Sequence, residues 1–352
     1  LTFLLSVVGT FLVRSGILTS VHTFALDPTR GIYILALTAI LGSYALITFY
    51  LKSKDNLNQE YFSFFSKEGS ILANNVLMVI VCLVVLLGTI YPLIVEALSN
   101  NKISVGAPYF NATVIPIIIP TILIMGIGPL MSWEKEEKNN ILKKIYPTII
   151  VVALLIAITF SYYLSYSLIG MIGLIIGFWI IFNNLIPIIL KKKLKVNGRI
   201  VAHIGVGLLI LGVTGSSVWQ KEKIIRMGIN DEVQINKYNI TFNKIEEIKE
   251  ANYLALEGTF SVYDQNKKLI TILKPQNRFY PITQNFTTEA SIHSNIYRDL
   301  YMVLGQGNEN DGWIIRVYHN PLVMWIWIGS FVMFVGGIIS MMLNFRVIKR
   351  FI

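Results

Sequence analysis

Long apolar runs, separated by short polar segments, constrain the fold of this chain more than any other feature. A transmembrane helix needs about 20 consecutive apolar residues. Seven runs have this length: 32–51, 71–95, 113–131, 145–164, 167–190, 200–219 and 321–343. Only 14% of the residues are charged, whereas soluble domains carry about 25%. The pattern predicts an all-α polytopic membrane protein, in which the proline-rich run 113–131 is kinked or broken.

The chain begins with an apolar run of 13 residues that is too short to span a bilayer. No basic segment precedes this run, so it is not typical of a signal peptide. The first residue is Leu1 rather than a methionine. We therefore interpret residues 1–13 as the end of a truncated span, with the upstream part missing or carried by a separate polypeptide.

One long polar stretch, residues 220–320, interrupts the helical pattern before the last span. It contains short segments rich in β-branched and aromatic residues, such as "EVQINKYNITF", "YLALEGTFSVYD" and "WIIRVYH", separated by the turn signals "DQNKK" and "GQGNENDG". This predicts an inserted all-β domain, a small barrel or sandwich. The predicted organisation is helices in 1–219, the β-rich domain in 220–320, and the last helix with a basic tail in 321–352.

The distribution of basic residues predicts the orientation in the membrane. The loops 52–69, 133–144 and 191–199 and the tail 344–352 carry 15 Lys and Arg in total, whereas the opposite loops 14–30 and 96–112 carry three. By the positive-inside rule the first set is cytoplasmic, and the β domain faces the periplasm or an equivalent compartment. The net charge of +10 is thereby explained without a nucleic-acid partner.

Several kinds of chemistry are not indicated by the sequence. The one cysteine, Cys82, lies inside an apolar run, so the chain has no internal disulfide and no CxxC redox pair. No HExxH, P-loop or GxSxG motif occurs either. The remaining candidates are histidines.

His203 lies in "GRIVAHIGVGLLILG", inside a predicted span. An ionisable side chain in a membrane helix is costly, which makes it a candidate for function. A neutral imidazole is a common axial ligand of haem iron, and Gly205 and Gly207 leave room for a flat macrocycle. The alternative is a histidine hydrogen-bonded to a neighbouring helix, with the glycines serving ordinary helix packing.

His22 lies in the polar segment between the first two apolar runs, with Arg14 and Arg30 on either side. Guanidinium groups pair well with carboxylates, including haem propionates. Asp27-Pro28 favours a turn that returns the chain to the bilayer. The alternative is a surface loop with interfacial arginines. His293 and His319 are predicted to be surface or strand-end residues of the β domain.

Four segments resemble the C-terminal portion of CcmF, the haem lyase family of c-type cytochrome maturation. They are "GTFLVRSGILTSVHTFALDPTRG", "AHIGVGLLILGVTGS", "PQNRFYPITQNFTTEASIHSNIYRDLYMVLG" and "WIIRVYHNPLVMWIWIGS". The related nitrite-reductase haem lyases share this pattern. The tryptophan-rich WWD region of the family, one external histidine and one transmembrane histidine have no counterpart here.

The resemblance implies a role for each histidine. His22 matches an external histidine that ligates the haem being transferred, and is thereby the implied catalytic residue. His203 matches a transmembrane histidine that holds a b-type haem. Arg14 and Arg30 belong to the same external motif, as candidate partners of haem propionates. Each haem site is then completed by residues from the N-terminal CcmF portion.

The resemblance also implies partners and a location. Haem arrives on the haem chaperone CcmE, a thiol-reducing subunit CcmH keeps the substrate cysteines reduced, and the substrate is an apocytochrome c with a CxxCH motif. The implied location is the bacterial inner membrane, or the mitochondrial inner membrane if the gene is organellar. Two other functions stay open: a secondary transporter with a broken helix at 113–131, and a cofactor-free scaffold subunit of a membrane assembly complex.

Overall fold

The computed structural model describes residues 2–14, 28–52, 63–99, 101, 103–163, 167–191 and 197–348. Within these ranges seven helices are long and apolar enough to cross a membrane, which confirms the predicted polytopic architecture. An eighth, shorter helix opens the chain. The helices are α1 (Thr2–Arg14), α2 (Pro28–Lys52), α3 (Lys67–Ser99), α4 (Ala107–Ile127), α5 (Lys138–Tyr163), α6 (Leu168–Lys191), α7 (Gly198–Val218) and α8 (Val323–Ile348).

The proline-rich run breaks at one point only. Helix α4 continues through Pro116 and Pro120 and ends at Ile127, where a 3₁₀ turn, Gly128–Leu130, follows. Pro129 lies in that turn. Proline lacks a backbone N–H and disfavours the α conformation of the residue before it, so the Gly128-Pro129 pair ends the helix.

The chain divides into two compact units. The first comprises Leu1–Ile124 and Met131–Glu137, and the second comprises Met125–Leu130 and Lys138–Ile352. In the first unit, the segment 131–137 is tied to the start of α3 by backbone hydrogen bonds, including Lys67 N to Ser132 O (2.9 Å) and Glu136 N to Phe65 O (2.8 Å). Ser66 caps α3, since its Oγ accepts from Gly69 N at 2.9 Å.

In the second unit, α7 packs between α6 and α8 through small residues. A Cβ added at Gly205 would lie 2.6 Å from the carbonyl oxygen of Gly329 in α8, so the two backbones are in direct contact. On the other side, a Cβ at Gly177 of α6 would lie 2.6 Å from Leu211. Close backbone approach through glycine is the usual way in which membrane helices gain packing energy.

The inserted β domain consists of two antiparallel sheets, which confirms the predicted all-β insertion. One sheet has the order β1-β10-β9-β8; the other has the order β2-β3-β4-β6-β7, with β5 also paired to β4. The strands are β1 (Lys221–Met227), β2 (Glu232–Ile235), β3 (Tyr238–Lys249), β4 (Leu254–Tyr263), β5 (Leu269–Leu273), β6 (Gln276–Tyr280), β7 (Asn285–Glu289), β8 (Ser291–Ser294), β9 (Arg298–Asn308) and β10 (Gly312–Pro321).

The two sheets share one hydrophobic core, so the domain is a sandwich. Phe242 and Phe260 stack with ring centroids 4.4 Å apart, and Trp313 from the opposite sheet meets Phe242 edge-on at 5.7 Å. All three side chains are buried. Every second residue of β9 from Arg298 to Leu304 is buried, as expected of a half-buried strand.

The segment "EVQINKYNITF" is a hairpin rather than one strand. β2 ends at Ile235 and β3 begins at Tyr238, which pairs with Ile235. The two residues between them form the turn, and Asn236 adopts a positive φ of 53°. Asparagine tolerates this left-handed conformation, which two-residue hairpin turns require.

The β domain is joined to α7 and α8 directly. β1 begins three residues after the end of α7, and β10 ends two residues before α8. At this junction Trp325 Nε1 donates to Ile296 O at 2.9 Å, and Leu322 N donates to Tyr297 O at 3.0 Å. The position of the domain is therefore set by the pair of helices that carries it.

We predict that Gly205→Ala destabilises the α7–α8 pair, whereas Gly337→Ala in α8 does not. The added methyl group at residue 205 collides with the Gly329 carbonyl, while nothing lies within 4 Å of a Cβ at residue 337. Overpacking of this kind costs about 1–3 kcal/mol. The free energy of unfolding of the purified chain in detergent measures the difference. Equal stabilities of the two variants would contradict the close packing.

Candidate functional site

His203 lies in the second turn of α7. The helix begins at Gly198, where the side chain of Asn197 accepts a hydrogen bond from Ile200 N at 3.1 Å. His203 is half-buried. Its Nδ1 atom is shielded from solvent and has no hydrogen-bond partner. The Nδ1 atom therefore makes no hydrogen bond to a neighbouring helix.

The glycines beside His203 serve helix packing. Gly205 faces α8, and Gly207 faces Ile181 and Gly177 of α6. With 3.6 residues per turn, His203 points away from the side of α7 that meets α8, and shares its side with Arg199 and Ile210. The space beside these glycines is therefore occupied by α6 and α8. The Nδ1 atom of the His203 imidazole, by contrast, has no hydrogen-bond partner.

The residues around His203 fit a haem ligand better than a multidentate metal site. Among the described residues, no group of three or more His, Cys, Asp or Glu side chains could hold a metal ion. Haem iron needs only one or two axial side chains, because the porphyrin supplies the other donors. A half-buried imidazole with an unpaired ring nitrogen meets this requirement, and a second axial ligand could come from elsewhere.

The external motif is described only in part. Arg14 is the last residue of α1 and is exposed. Arg30 lies in the first turn of α2, but its side chain falls outside the described residues, as does the whole segment 15–27 with His22. The predicted approach of His22, Arg14 and Arg30 to one ligand therefore stays a prediction.

A second polar cluster, which the sequence alone did not indicate, lies in the β domain beside the junction with α8. Arg298 is only 3% exposed. Its Nε donates to Tyr238 Oη at 3.0 Å, and its Nη1 contacts His293 Nδ1 at 2.8 Å and donates to His293 O at 2.9 Å. His319 lies near a strand end as predicted, but it is buried and packs on the Tyr238 ring.

This cluster favours neutral histidines. Burial lowers the pKa values of His293 and His319 below the ordinary 6.5, and the nearby positive charge of Arg298 lowers them further. The alternation along the strand could have indicated this cluster. Arg298 is in phase with the apolar residues Leu300 and Met302, and it therefore points into the core. The cluster connects β3, β8, β9 and β10 next to the membrane helices.

The fold defines a class: a multi-pass membrane protein with a β-sandwich inserted before its last span. Residues 218–321 match the family model described as the CcmF C-terminal beta-sandwich. The solved structure of a protein titled cytochrome c heme lyase CcmF superposes with a TM-score of 0.69 at 22% sequence identity, and covers 96% of this chain and 52% of that one. This likeness confirms the fold.

Curated proteins match the chain along nearly its whole length. The cytochrome c-type biogenesis protein ccl1 of Rhodobacter capsulatus is 32% identical over 97% of this chain and 54% of that protein. CcmF of Escherichia coli is 33% identical over 96% and 53%, and NrfE of Haemophilus influenzae is 30% identical over 97% and 54%. The chain spans about half the length of these relatives.

The resemblance predicted from the four sequence segments is thus confirmed. The chain is homologous to the CcmF proteins over about half of their length, and its β domain belongs to the CcmF C-terminal β-sandwich family.

The stability of the β domain is predicted to fall in mild acid. A folded-state pKa below 6.5 means that the unfolded chain binds more protons between the two pKa values, so the free energy of unfolding decreases as the pH drops below about 6.5. His319→Gln, which cannot be protonated, should flatten this decrease. Thermal unfolding of the purified chain between pH 8 and pH 5 measures it. An unchanged acid dependence in the His293→Gln, His319→Gln double variant would contradict the role of the cluster.

Proposed function

We propose that this chain is part of a membrane haem lyase that attaches haem covalently to the CxxCH cysteines of an apocytochrome c. The proposal is supported by homology to cytochrome c-type biogenesis proteins along nearly the whole chain. The single structural observation behind it is the half-buried imidazole of His203 in a membrane helix, with an Nδ1 atom that finds no protein partner.

In this proposal the imidazole of His203 would hold the iron of a b-type haem within the membrane. The structure fits this role because an uncharged imidazole tolerates burial and keeps a lone pair for iron. A haem bound there would supply one-electron chemistry. The chain itself orients the imidazole: the backbone contacts of α7 with α6 and α8 restrict both the position and the rotation of the helix.

His22 is proposed to ligate the iron of the haem that is being transferred, outside the bilayer. Arg14 and Arg30 lie at the two ends of the segment that carries it, where guanidinium groups could pair with propionates. In the reaction each of two cysteine thiols adds across a haem vinyl group: the S–H bond and the vinyl π bond break, a C–S bond forms at one vinyl carbon, and the hydrogen goes to the other. This chain contributes positioning rather than a nucleophile.

The proposed assembly includes further chains. The N-terminal CcmF portion would complete both haem sites, CcmE would deliver haem, and CcmH would keep the substrate cysteines reduced. The β-sandwich, which is joined to α7 and α8 by short connections, offers a docking surface for one of them. We propose that it faces the periplasm or the intermembrane space, in keeping with the charge bias of the loops.

His203→Ala is predicted to remove a b-type haem spectrum from the chain purified together with its N-terminal partner. Without the imidazole the iron loses one axial ligand. The reduced absorption spectrum measures the loss, and free imidazole added to His203→Gly should restore the bands, because it can occupy the vacated space. Val213→Ala, in the same helix but ten residues from His203 and exposed, serves as the control that keeps the spectrum. A colourless wild-type complex would contradict the proposal, and solute transport by that complex would favour a transporter instead.

His22→Ala is predicted to abolish cytochrome c maturation and to leave the membrane haem in place. The two histidines are assigned to different haems, so their variants should separate the two functions. Haem staining of c-type cytochromes in cells reports maturation, and the absorption spectrum of the same membranes reports the b-type haem. Normal maturation in His22→Ala would overturn its assignment as the outer ligand.

A further inference from the structure

A cavity of about 330 Å³ lies at one end of the second unit, where the 3₁₀ turn and the ends of α5, α6 and α7 meet. His203 is not among the residues that line it. The cavity extends from the polar helix ends into the apolar part of the unit. Asn183, on its wall, precedes the end of α6 at Lys191 by eight residues, which corresponds to about 12 Å along the helix.

The mouth of the cavity is basic. Lys143, Lys144 and Arg199 line it, and none of the lining residues is acidic. The Nε atom of Arg199 is buried and has no hydrogen-bond partner. Lys144 Nζ donates to Leu130 O at 2.8 Å, which holds this ammonium group at the cavity. Arg199 is also in the first turn of α7, where the helix dipole favours an anion.

The wall of the cavity carries an unsatisfied amide. Asn183 is only 1% exposed, and neither its Oδ1 nor its Nδ2 has a hydrogen-bond partner. The adjacent Asn184 differs, because its Nδ2 donates to Ile180 O at 2.9 Å. A buried amide without partners is unfavourable, so an unpaired one on a cavity wall indicates a ligand with polar atoms at that depth.

The rest of the lining is aliphatic and proline side chains, such as Pro147, Ile186 and Pro187. A ligand that fits must combine an anionic group at the mouth, a polar group one to two helical turns deeper, and an apolar part. A free inorganic phosphate satisfies only the first of these conditions. A glycerophospholipid satisfies all three, with its phosphate, its ester carbonyls and its acyl chains.

We propose that this cavity binds an anionic membrane phospholipid. Arg199 and Lys143 contact the phosphate headgroup, the Nδ2 atom of Asn183 donates to an ester carbonyl, and the acyl chains follow the apolar wall into the bilayer. His203 itself does not line the cavity, although Arg199 precedes it by one helical turn on the same side of α7.

The test measures lipid binding to the full chain. The protein is reconstituted in nanodiscs or detergent with phosphatidylglycerol or with phosphatidylcholine, and native mass spectrometry counts the retained lipids. We expect selective retention of phosphatidylglycerol and a roughly five-fold weaker retention for each of Arg199→Gln and Lys143→Gln, since one basic residue near an anionic lipid contributes on that scale. Lys138→Gln removes a charge from the same helix, α5, outside the cavity lining, and should bind like the wild type.

Other outcomes would overturn the proposal. Equal retention of both lipids, or unchanged binding in Arg199→Gln and Lys143→Gln, would exclude an anionic phospholipid site. Inorganic phosphate that displaces the lipid or raises the melting temperature equally well would indicate a free-anion site. Loss of the b-type haem spectrum in Arg199→Gln, with lipid retention unchanged, would assign the arginine to haem. The melting temperature of each variant, measured without added lipid, shows whether a loss of lipid binding results from misfolding.

Discussion

The close approach of α7 to both α6 and α8 is the constraint on which the second unit depends. In an apolar medium, helices gain no hydrophobic energy from association, so packing must supply it. Gly205 against Gly329, and Gly177 against Leu211, bring the helices into direct contact. A helix held on two sides cannot rotate, and the direction in which His203 projects is therefore determined. The β-sandwich is inserted between the end of α7 and the start of α8.

The β-sandwich is connected to this helix pair by more than chain continuity. Trp325 and Leu322, at the start of α8, hydrogen-bond to the backbone of the loop before β9. Arg298 begins β9 and gathers Tyr238 and His293 around it. A buried arginine whose partners are neutral groups restricts all of them, since each hydrogen bond satisfies a charge that water cannot reach. A partner docked on the sandwich would thus be held in a defined position relative to α7.

The predictions from sequence succeeded where a local period dominates. The apolar runs correspond to the seven long helices, and the β insertion was recognised from its β-branched segments. The predictions were incomplete where a single residue determines the local backbone structure. The positive φ of Asn236 divides one apparent strand into a hairpin, and Gly128-Pro129 ends α4 although Pro116 and Pro120 do not. The strands β1, β6, β7 and β8 were not identified, because most of their residues are polar and none of these strands has the regular alternation of a half-buried strand.

The sequence by itself determined the membrane-spanning class, the inserted β domain and the identity of the candidate ligands, because hydropathy, strand period and motif composition are local properties. Only the tertiary structure decided which partners these residues have. It placed Gly205 and Gly207 in contacts between helices, and it left Nδ1 of His203 without a hydrogen-bond partner. It also placed Asn183 and Arg199, distant in the chain, on one cavity. Such pairings depend on how helices cross in three dimensions, which residue spacing along one helix does not specify.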